Sequence, residues 1–478
     1  MILKRSIFVL IFVLISIGFS QESFEDWAKK DTKQFKNFME KDDKVFTDFL
    51  KKDWKEFQAL EGIKADTKPK PKAMPKAKPK KKIDDETNDI KLSPVVKKTP
   101  PKIIPKPKPQ IKTTDYKNYK FQLYGINLDI PVDKKINLST NGKLDNKQIS
   151  KIWEKIATTK YKKTLEYLED NKKNLLLNDW GYVMMTYNLS KSIFVNQVNK
   201  QKIFVWFYLV KSGYDVKIGY IDNQIVLLMP SKTTIYSTSY TKLNEQRYYV
   251  INLEKDAKKV KSFYTYSDSH SASKNIIDLK LLTIPNFTDK NIEKILRFTH
   301  KGKKHNLKIA FDMDAINLME SYPQTEISIY FNIPLAQDTK NSIVDTFEPY
   351  LSGKTELEAV NFLLKLVQTS FQYKTDDDQF GREKYFAPEE TFFYPYSDCE
   401  DRSILFSYLI SNLTNLTVVG LDYPGHISTA VQFNKNVDGD KIKYKDATYL
   451  ICDPTYINAT VGMCMPQFKT INPKIIAL

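Results

Sequence analysis

Between residues 66 and 113 the chain cannot build a core of its own. This stretch holds ten prolines, fifteen lysines and no aromatic residue. Without large apolar side chains it has nothing to offset the entropy of ordering, and its like charges repel. It reads as a disordered, extended Lys/Pro-rich linker. A solvated spacer is the plain reading, although its charge could touch anionic cell-wall polymer or lipid head groups. The linker also explains most of the charge. The chain carries a net +17. Residues 68–112 supply +11 of it, and Lys4 and Arg5 supply +2. The remainder is near balance, so no globally basic nucleic-acid-binding domain is expected. The linker therefore separates a short amino-terminal segment from about 365 residues rich in aromatic side chains, enough for two domains.

Residues 1–20 read as a signal peptide. Lys4 and Arg5 precede an apolar run from Ile7 to Phe19, with Gly18 and Ser20 before a cut at Gln21. No cysteine follows the run, which argues against a lipid anchor. The mature protein is expected outside the cytoplasm, periplasmic or secreted. Residues 21–65 carry an eleven-residue repeat. Phe24, Phe35, Phe46 and Phe57 form one series, and Trp27, Phe38, Phe49 and Leu60 form another. Eleven residues are close to three helical turns, so each series returns to one stripe of an amphipathic helix. That stripe either packs on the protein's own body or drives coiled-coil-like self-association through residues 24–60. Its polar face mixes signs, so binding to a membrane surface is not expected after signal cleavage.

Three cysteines and four histidines leave little room for metal chemistry based on sulfur or imidazole. Only 14 glycines occur, with no glycine-rich phosphate loop. The chemistry concentrates in residues 301–478. Apolar residues from Leu357 to Phe371 recur at helical spacing, predicting a helix over 355–372. An acidic loop follows. The run Tyr396-Ser397-Asp398-Cys399-Glu400-Asp401-Arg402-Ser403 then leads into an apolar helix, with Ser397 or Asp398 as its cap. A cysteine at a helix amino terminus has its thiolate favoured by the dipole. Neighbouring acids oppose this, so a base is needed. His426 opens a predicted strand after Tyr423-Pro424-Gly425, and Asp453 ends a strand predicted over Lys443–Cys452. Helix, strand and strand could bring Cys399, His426 and Asp453 together as a catalytic triad. Cys452 and Cys464 could pair as a disulfide that clamps Asp453.

The order Cys, His, Asp resembles the transglutaminase-like superfamily, which has a papain-related fold. The Cys lies in a D-C-E-D helix start, the His in P-G-H and the Asp in C-D-P-T. The helix start is similar to that of bacterial transglutaminase-like cysteine proteinases. The likeness covers about 355–460, and Ser397 stands where the family often has glycine. It implies an α+β fold in which the cysteine helix packs on an antiparallel sheet. It also implies thioester chemistry on amide bonds. An oxyanion hole would use the Cys399 N–H and a donor from Gln372 or Tyr373. No metal or other cofactor is expected. The one exception left open is calcium, which some relatives bind, at Asp376–Asp378 and Asp398–Asp401.

Residues 114–300 lack chemical motifs but echo this pattern. Helices are predicted over Trp180–Val195 and Lys202–Lys211, with two strands in Val216–Met229 around Asp222-Asn223. Sliding the cysteine helix back along the chain puts Asn199 under Cys399 and no histidine in the matching strand. The unit reads as a degenerate transglutaminase-like copy. Tyr236–Tyr266 and Ile309–Leu335 look strand-rich. Taken together, the sequence points to an exported cysteine hydrolase cutting peptide or isopeptide bonds in a protein or cell-wall peptide. A protein-glutamine acyl transferase with the same triad is the alternative. A non-catalytic binding or scaffold protein of the cell envelope is a third reading.

Overall fold

A computed structural model describes residues 41–52, 54–65, 70–78, 91–92, 115–136, 138, 143–254, 259–285 and 291–478. The expected signal peptide and the first repeats, Phe24 to Phe38, lie outside the described residues. The fold is α+β. No helix among the described residues is long and apolar enough to cross a membrane.

Helix α1 covers 41–50, and its stripe is used internally. Phe46 and Leu50 are buried, and Phe46 packs edge-on against Trp153 and His270, with ring centroids 4.8 and 5.0 Å away. The sequence pattern would carry the helix to residue 65, but it stops earlier. The Lys52 N–H closes the last turn on the Phe49 carbonyl, and the Trp54 indole donates to the Leu50 carbonyl. The next segment is β1 (Lys55–Gln58), which pairs antiparallel with Ser262–Thr265. Phe57 therefore belongs to a sheet, where its neighbours decide its place rather than helical spacing.

A hairpin of β2 (Tyr116–Leu123) and β3 (Ile126–Asp133) follows. Four helices come next: α2 (Asn146–Ala157), α3 (Tyr161–Asn174), α4 (Asp179–Ile193) and α5 (Val198–Lys211). Helix α5 is apolar on all sides, and Ile203 to Val210 are all buried. Strands β4 (Lys217–Ile221), β5 (Gln224–Pro230), β6 (Tyr240–Leu243), β7 (Gln246–Ile251) and β8 (Ser262–Thr265) complete an antiparallel sheet ordered β1-β8-β4-β5-β7-β6.

The predicted boundary at residue 300 cuts through a hairpin. Strands β9 (Asn291–His300) and β10 (Lys303–Asp312) pair along their whole lengths. Leu296, Phe298, Leu307 and Ile309 join the same apolar core as Leu363 and Leu405, so the hairpin belongs to the carboxy-terminal unit. Past Asp312 the expected strand is instead helical, as α6 (Met313–Ser321) and α7 (Ile327–Tyr330). The Asp312 carboxylate accepts the Asp314 N–H and caps α6. Helices α8 (Gln337–Leu351) and α9 (Glu356–Ser370) follow, the latter opened by a Thr355–Glu358 capping box.

Beyond α9 come β11 (Gln372–Tyr373), α10 (Asp376–Phe380), α11 (Pro388–Phe393), β12 (Tyr396–Ser397) and α12 (Cys399–Leu413). The second sheet holds β13 (Thr417–Tyr423), β14 (His426–Gln432), β15 (Lys441–Tyr444), β16 (Ala447–Cys452) and β17 (Lys474–Ile476), in the order β15-β16-β14-β13-β17. The single strand predicted over Lys443–Cys452 is a hairpin. It turns at Lys445, whose φ of 50° is the left-handed conformation a tight turn needs.

The two sheets share one connectivity. In each, a buried helix leads into a two-stranded antiparallel pair, and the second strand pairs with the far arm of the next hairpin. The last strand returns to the outer side of the first. Thus β4, β5, β6, β7 and β8 repeat the path of β13, β14, β15, β16 and β17.

Candidate functional site

Cys399 is the first residue of α12, and the helix start is tightly held. The Asp401 carboxylate accepts the N–H groups of Asp398 (3.1 Å) and Phe386 (3.0 Å). The buried Arg402 guanidinium donates to Ser397 Oγ, to the Gln368 carbonyl and to the Phe371 carbonyl, at 3.1, 3.2 and 2.8 Å. These bonds join α12 to the end of α9 and to β12. Ser403 lies one turn after Cys399 on the same helix face. Its hydroxyl donates to the Ile427 carbonyl at 3.1 Å, so the cysteine face of α12 lies on the opening of β14.

His426 opens β14. Its Nε2 is 2.8 Å from Asp453 Oδ2. The other carboxylate oxygen accepts the N–H and hydroxyl of Thr455, each at 2.9 Å. Gln368 Nε2 reaches the carbonyls of Asp453, Tyr456 and Ala459, which fixes the loop after β16. Phe468 stacks on the imidazole at 5.1 Å and 5°. With Nε2 committed to Asp453, Nδ1 is the nitrogen left for another partner. Burial alone would raise the Asp453 carboxyl, but the His426 ring and the Thr455 bonds hold it below its ordinary range.

The sulfur makes no hydrogen bond to His426 in this state. Cys399 Sγ donates instead to Glu400 Oε2 at 2.9 Å. Burial raises the thiol well above its ordinary value, and Glu400 and Asp398 push it further the same way. The dipole's pull toward thiolate is thus outweighed, in the direction expected of the neighbouring acids. A terminal half-charge acts against burial and two adjacent carboxyls. Glu400 is itself pushed up to about 8, by burial first and then by Asp398.

A lysine of the proline-rich segment sits in this acidic cluster. Lys70 Nζ contacts Glu383 Oε1, Asp398 Oδ2 and Glu400 Oε1 at 2.5, 2.8 and 3.0 Å. Residues 70–78 and 91–92 of the expected tether therefore lie against the folded body. Of the acids considered for calcium, only Asp376 and Asp398 come together. Glu383 joins them, with oxygens of all three within 4.8 Å of one another. Such an oxygen set suits a hard cation. Asp377 and Asp378 are exposed, and Asp401 is taken up by backbone.

Tyr373 and Gln372 differ in placement. On a strand they point to opposite faces. Gln372 is exposed, while Tyr373 pairs in register with Ser397, beside the helix start. Burial first, and then Cys399, raise the Tyr373 phenol. Cys452 and Cys464 are free thiols rather than a disulfide. Cys452 packs with Leu450 and Val431 on one face of the second sheet, and Cys464 packs with Ile451 and Ala430 on the other.

No family model matches the chain, and neither does any curated protein or solved structure.

Sequence reasoning did not single out Gln368, Arg402, Glu383, Phe468 or Lys70. The first two carried a signal, a polar residue on the apolar face of α9 and an arginine entering a buried helix. Glu383, Phe468 and Lys70 carried none, because their role comes from tertiary contacts that no local pattern marks.

Proposed function

We propose that the chain is an exported cysteine hydrolase of the transglutaminase-like kind, acting on peptide or isopeptide bonds. The observation that carries this reading is the 2.8 Å His426–Asp453 pair at the mouth of the helix that begins with Cys399. In the reaction, the sulfur leaves Glu400 and passes its proton to His426 Nδ1 as it attacks the substrate carbonyl. The imidazolium, steadied by Asp453, returns that proton to the departing amine. A thioester on Cys399 remains. Water deprotonated by His426 then releases the acid and restores the thiol. The Cys399 N–H and the Tyr373 hydroxyl are the donors assigned to the oxyanion.

The shared connectivity of the two sheets supports an internal duplication whose first copy has lost its chemistry. Gln224 opens β5 where His426 opens β14, and Asn252 follows β7 where Asp453 follows β16. Asn199, at the start of α5, bonds to the Asn223 carbonyl and the Ile225 N–H at 2.8 and 2.9 Å. An amide clamp thus joins helix start to strand start, at the positions held in the second unit by Cys399 and His426.

Acyl transfer to an amine is the second reading. It is favoured by Glu400, which holds the sulfur with one oxygen and an ammonium with the other. Iodoacetamide labelling of Cys399 in the full chain, with and without His426→Ala, tests the common core of both. The rate and its pH dependence should change in the variant; if neither does, the catalytic reading fails. Peptide profiling against Cys399→Ala then separates hydrolysis from transfer by product mass.

A further inference from the structure

The segment 70–78 lies on the carboxy-terminal unit as an extended peptide would. The Lys70 stem enters the acid cluster, and its side chain is 8% exposed. Its ammonium donates to Glu383 and Asp398, and Glu400 lies within ion-pair distance at 3.0 Å. Asp398 is fully buried, and its second oxygen has no hydrogen-bond partner among the described residues. Such a group is expensive to bury alone, so the cluster is built around a cation. The next carbonyl, of Pro71, accepts the Tyr373 hydroxyl at 2.8 Å. Met74 Sδ lies 2.8 Å from Arg402 Nη1. Further along, the Ile457 N–H donates to the Pro75 carbonyl (2.9 Å) and the Ala77 N–H donates to the Ile457 carbonyl (2.8 Å). Ala77 then packs with Tyr456, Met463 and Met465.

The contacts therefore run from the residue before Cys399 to the loop just after Asp453. Main-chain pairing plus one deep side-chain pocket is how a site holds an extended peptide. The pocket is also wired to the sulfur. Glu400 takes the ammonium on Oε1 and the Cys399 thiol on Oε2.

We propose that Glu383, Asp398 and Glu400 form a lysyl subsite for extended basic peptides, and that Lys70–Lys78 is its internal occupant, holding the thiol in its resting contact. Its bearing on catalysis rests on the function proposed above, but the subsite itself does not. A tethered occupant acts at a high effective concentration, so a peptide added in trans does not displace it at low concentration.

The test uses the full chain in a Cys399→Ala background and a fluorescent peptide of residues 70–78. Anisotropy should show weak binding to this protein and binding tighter by about tenfold or more once Lys70→Gln empties the pocket. The same peptide with norleucine in the Lys70 position should lose that gain. Ala77→Arg, which disturbs the far end of the segment without touching the acids, should also open the site, and it covers the case in which Lys70→Gln does not fold. With Cys399 present, both variants should alkylate faster than wild type. Equal peptide affinity with and without Lys70, or equal binding of the norleucine peptide, overturns the proposal. Lysine-dependent binding in a protein without His426-dependent labelling would sink the catalytic reading and leave the subsite standing.

Discussion

Glu389 gives the sharpest stability prediction. It sits in the first turn of α11, 2% exposed, with one carboxylate oxygen unpartnered among the described residues. Burial raises its carboxyl to about 8, opposed by the Thr339 hydroxyl and helped by Asp312, itself pushed up to about 6 by burial. The folded chain keeps this proton at pH values where the unfolded chain, near 4.5, has released it. A raised folded value contributes stability that is complete below the unfolded value and lost as pH rises through the folded one. From 4.5 up to about pH 7.5, at about 1.4 kcal/mol per pH unit, the loss is roughly 4 kcal/mol.

Glu389→Gln keeps the shape and removes the titration. Side-chain relaxation and water entry reduce the figure, so a difference of about 2–4 kcal/mol is expected at about pH 7.5. Near pH 5 the two proteins should differ by about 1 kcal/mol or less. Urea midpoints and slopes at both pH values measure this directly. Asp376 and Glu400 are also raised, to about 9 and about 8. They are not among the groups acting on Glu389 and give wild type and variant the same background slope, so the difference reports Glu389 together with its neighbour Asp312. Parallel stability curves for the two proteins would refute the assigned burial of a neutral carboxyl.

Asp453→Asn should leave the fold in place but slow His426-dependent alkylation of Cys399 by about tenfold or more. An amide donating to Nε2 forces the imidazole proton onto Nδ1, where it cannot accept from sulfur. Phe46→Ala removes a ring packed on Trp153 and His270 and should cost about 3–5 kcal/mol in urea unfolding; a changed oligomeric state with unchanged stability would show that the stripe serves a partner instead. Gly462→Ala should cost about 2–3 kcal/mol, because its φ is +77° and a Cβ would lie 2.8 Å from the Gly439 Cα; an unaltered unfolding midpoint would contradict that crossing.

The parts of the fold readable in advance are those in which local pattern and tertiary surroundings ask for the same thing. Helices α4, α5, α9 and α12 fall close to their predicted spans. Each has an apolar pattern long enough to define its period, and α9 and α12 also have acids in the first turn. Strands β13 and β14 were legible from β-branched residues on either side of Pro424-Gly425. Errors collect where one residue changes the outcome. Trp54 ends α1 by folding its indole back on Leu50, and Lys445 splits a strand by adopting a positive φ. Neither act is visible in hydropathy. The cysteine pair failed for a reason of parity. Cys452 and Ile451 are neighbours on a strand, so they face opposite sides of the sheet, and Cys464 lies on Ile451's side.

At the acidic helix start the opposition of the neighbouring acids to the dipole was legible in the sequence, and its extent was not. Burial, Glu400 and Asp398 raise the proton affinity of the thiol, and the dipole of a helix is too weak to reverse that. Seen in the sequence, Asp398, Glu400 and Asp401 look like favourable first-turn residues. In the fold, Glu383 and Asp376 close over them and water leaves. The cluster then needs a cation, and the chain provides one from the segment whose composition argued against any fixed place. Fifteen lysines among ten prolines look interchangeable in sequence. Only the meeting of three distant segments singles out Lys70, and a single carboxylate, Glu400, makes that choice matter to the sulfur. Any catalysis by Cys399 therefore starts with that carboxylate letting go.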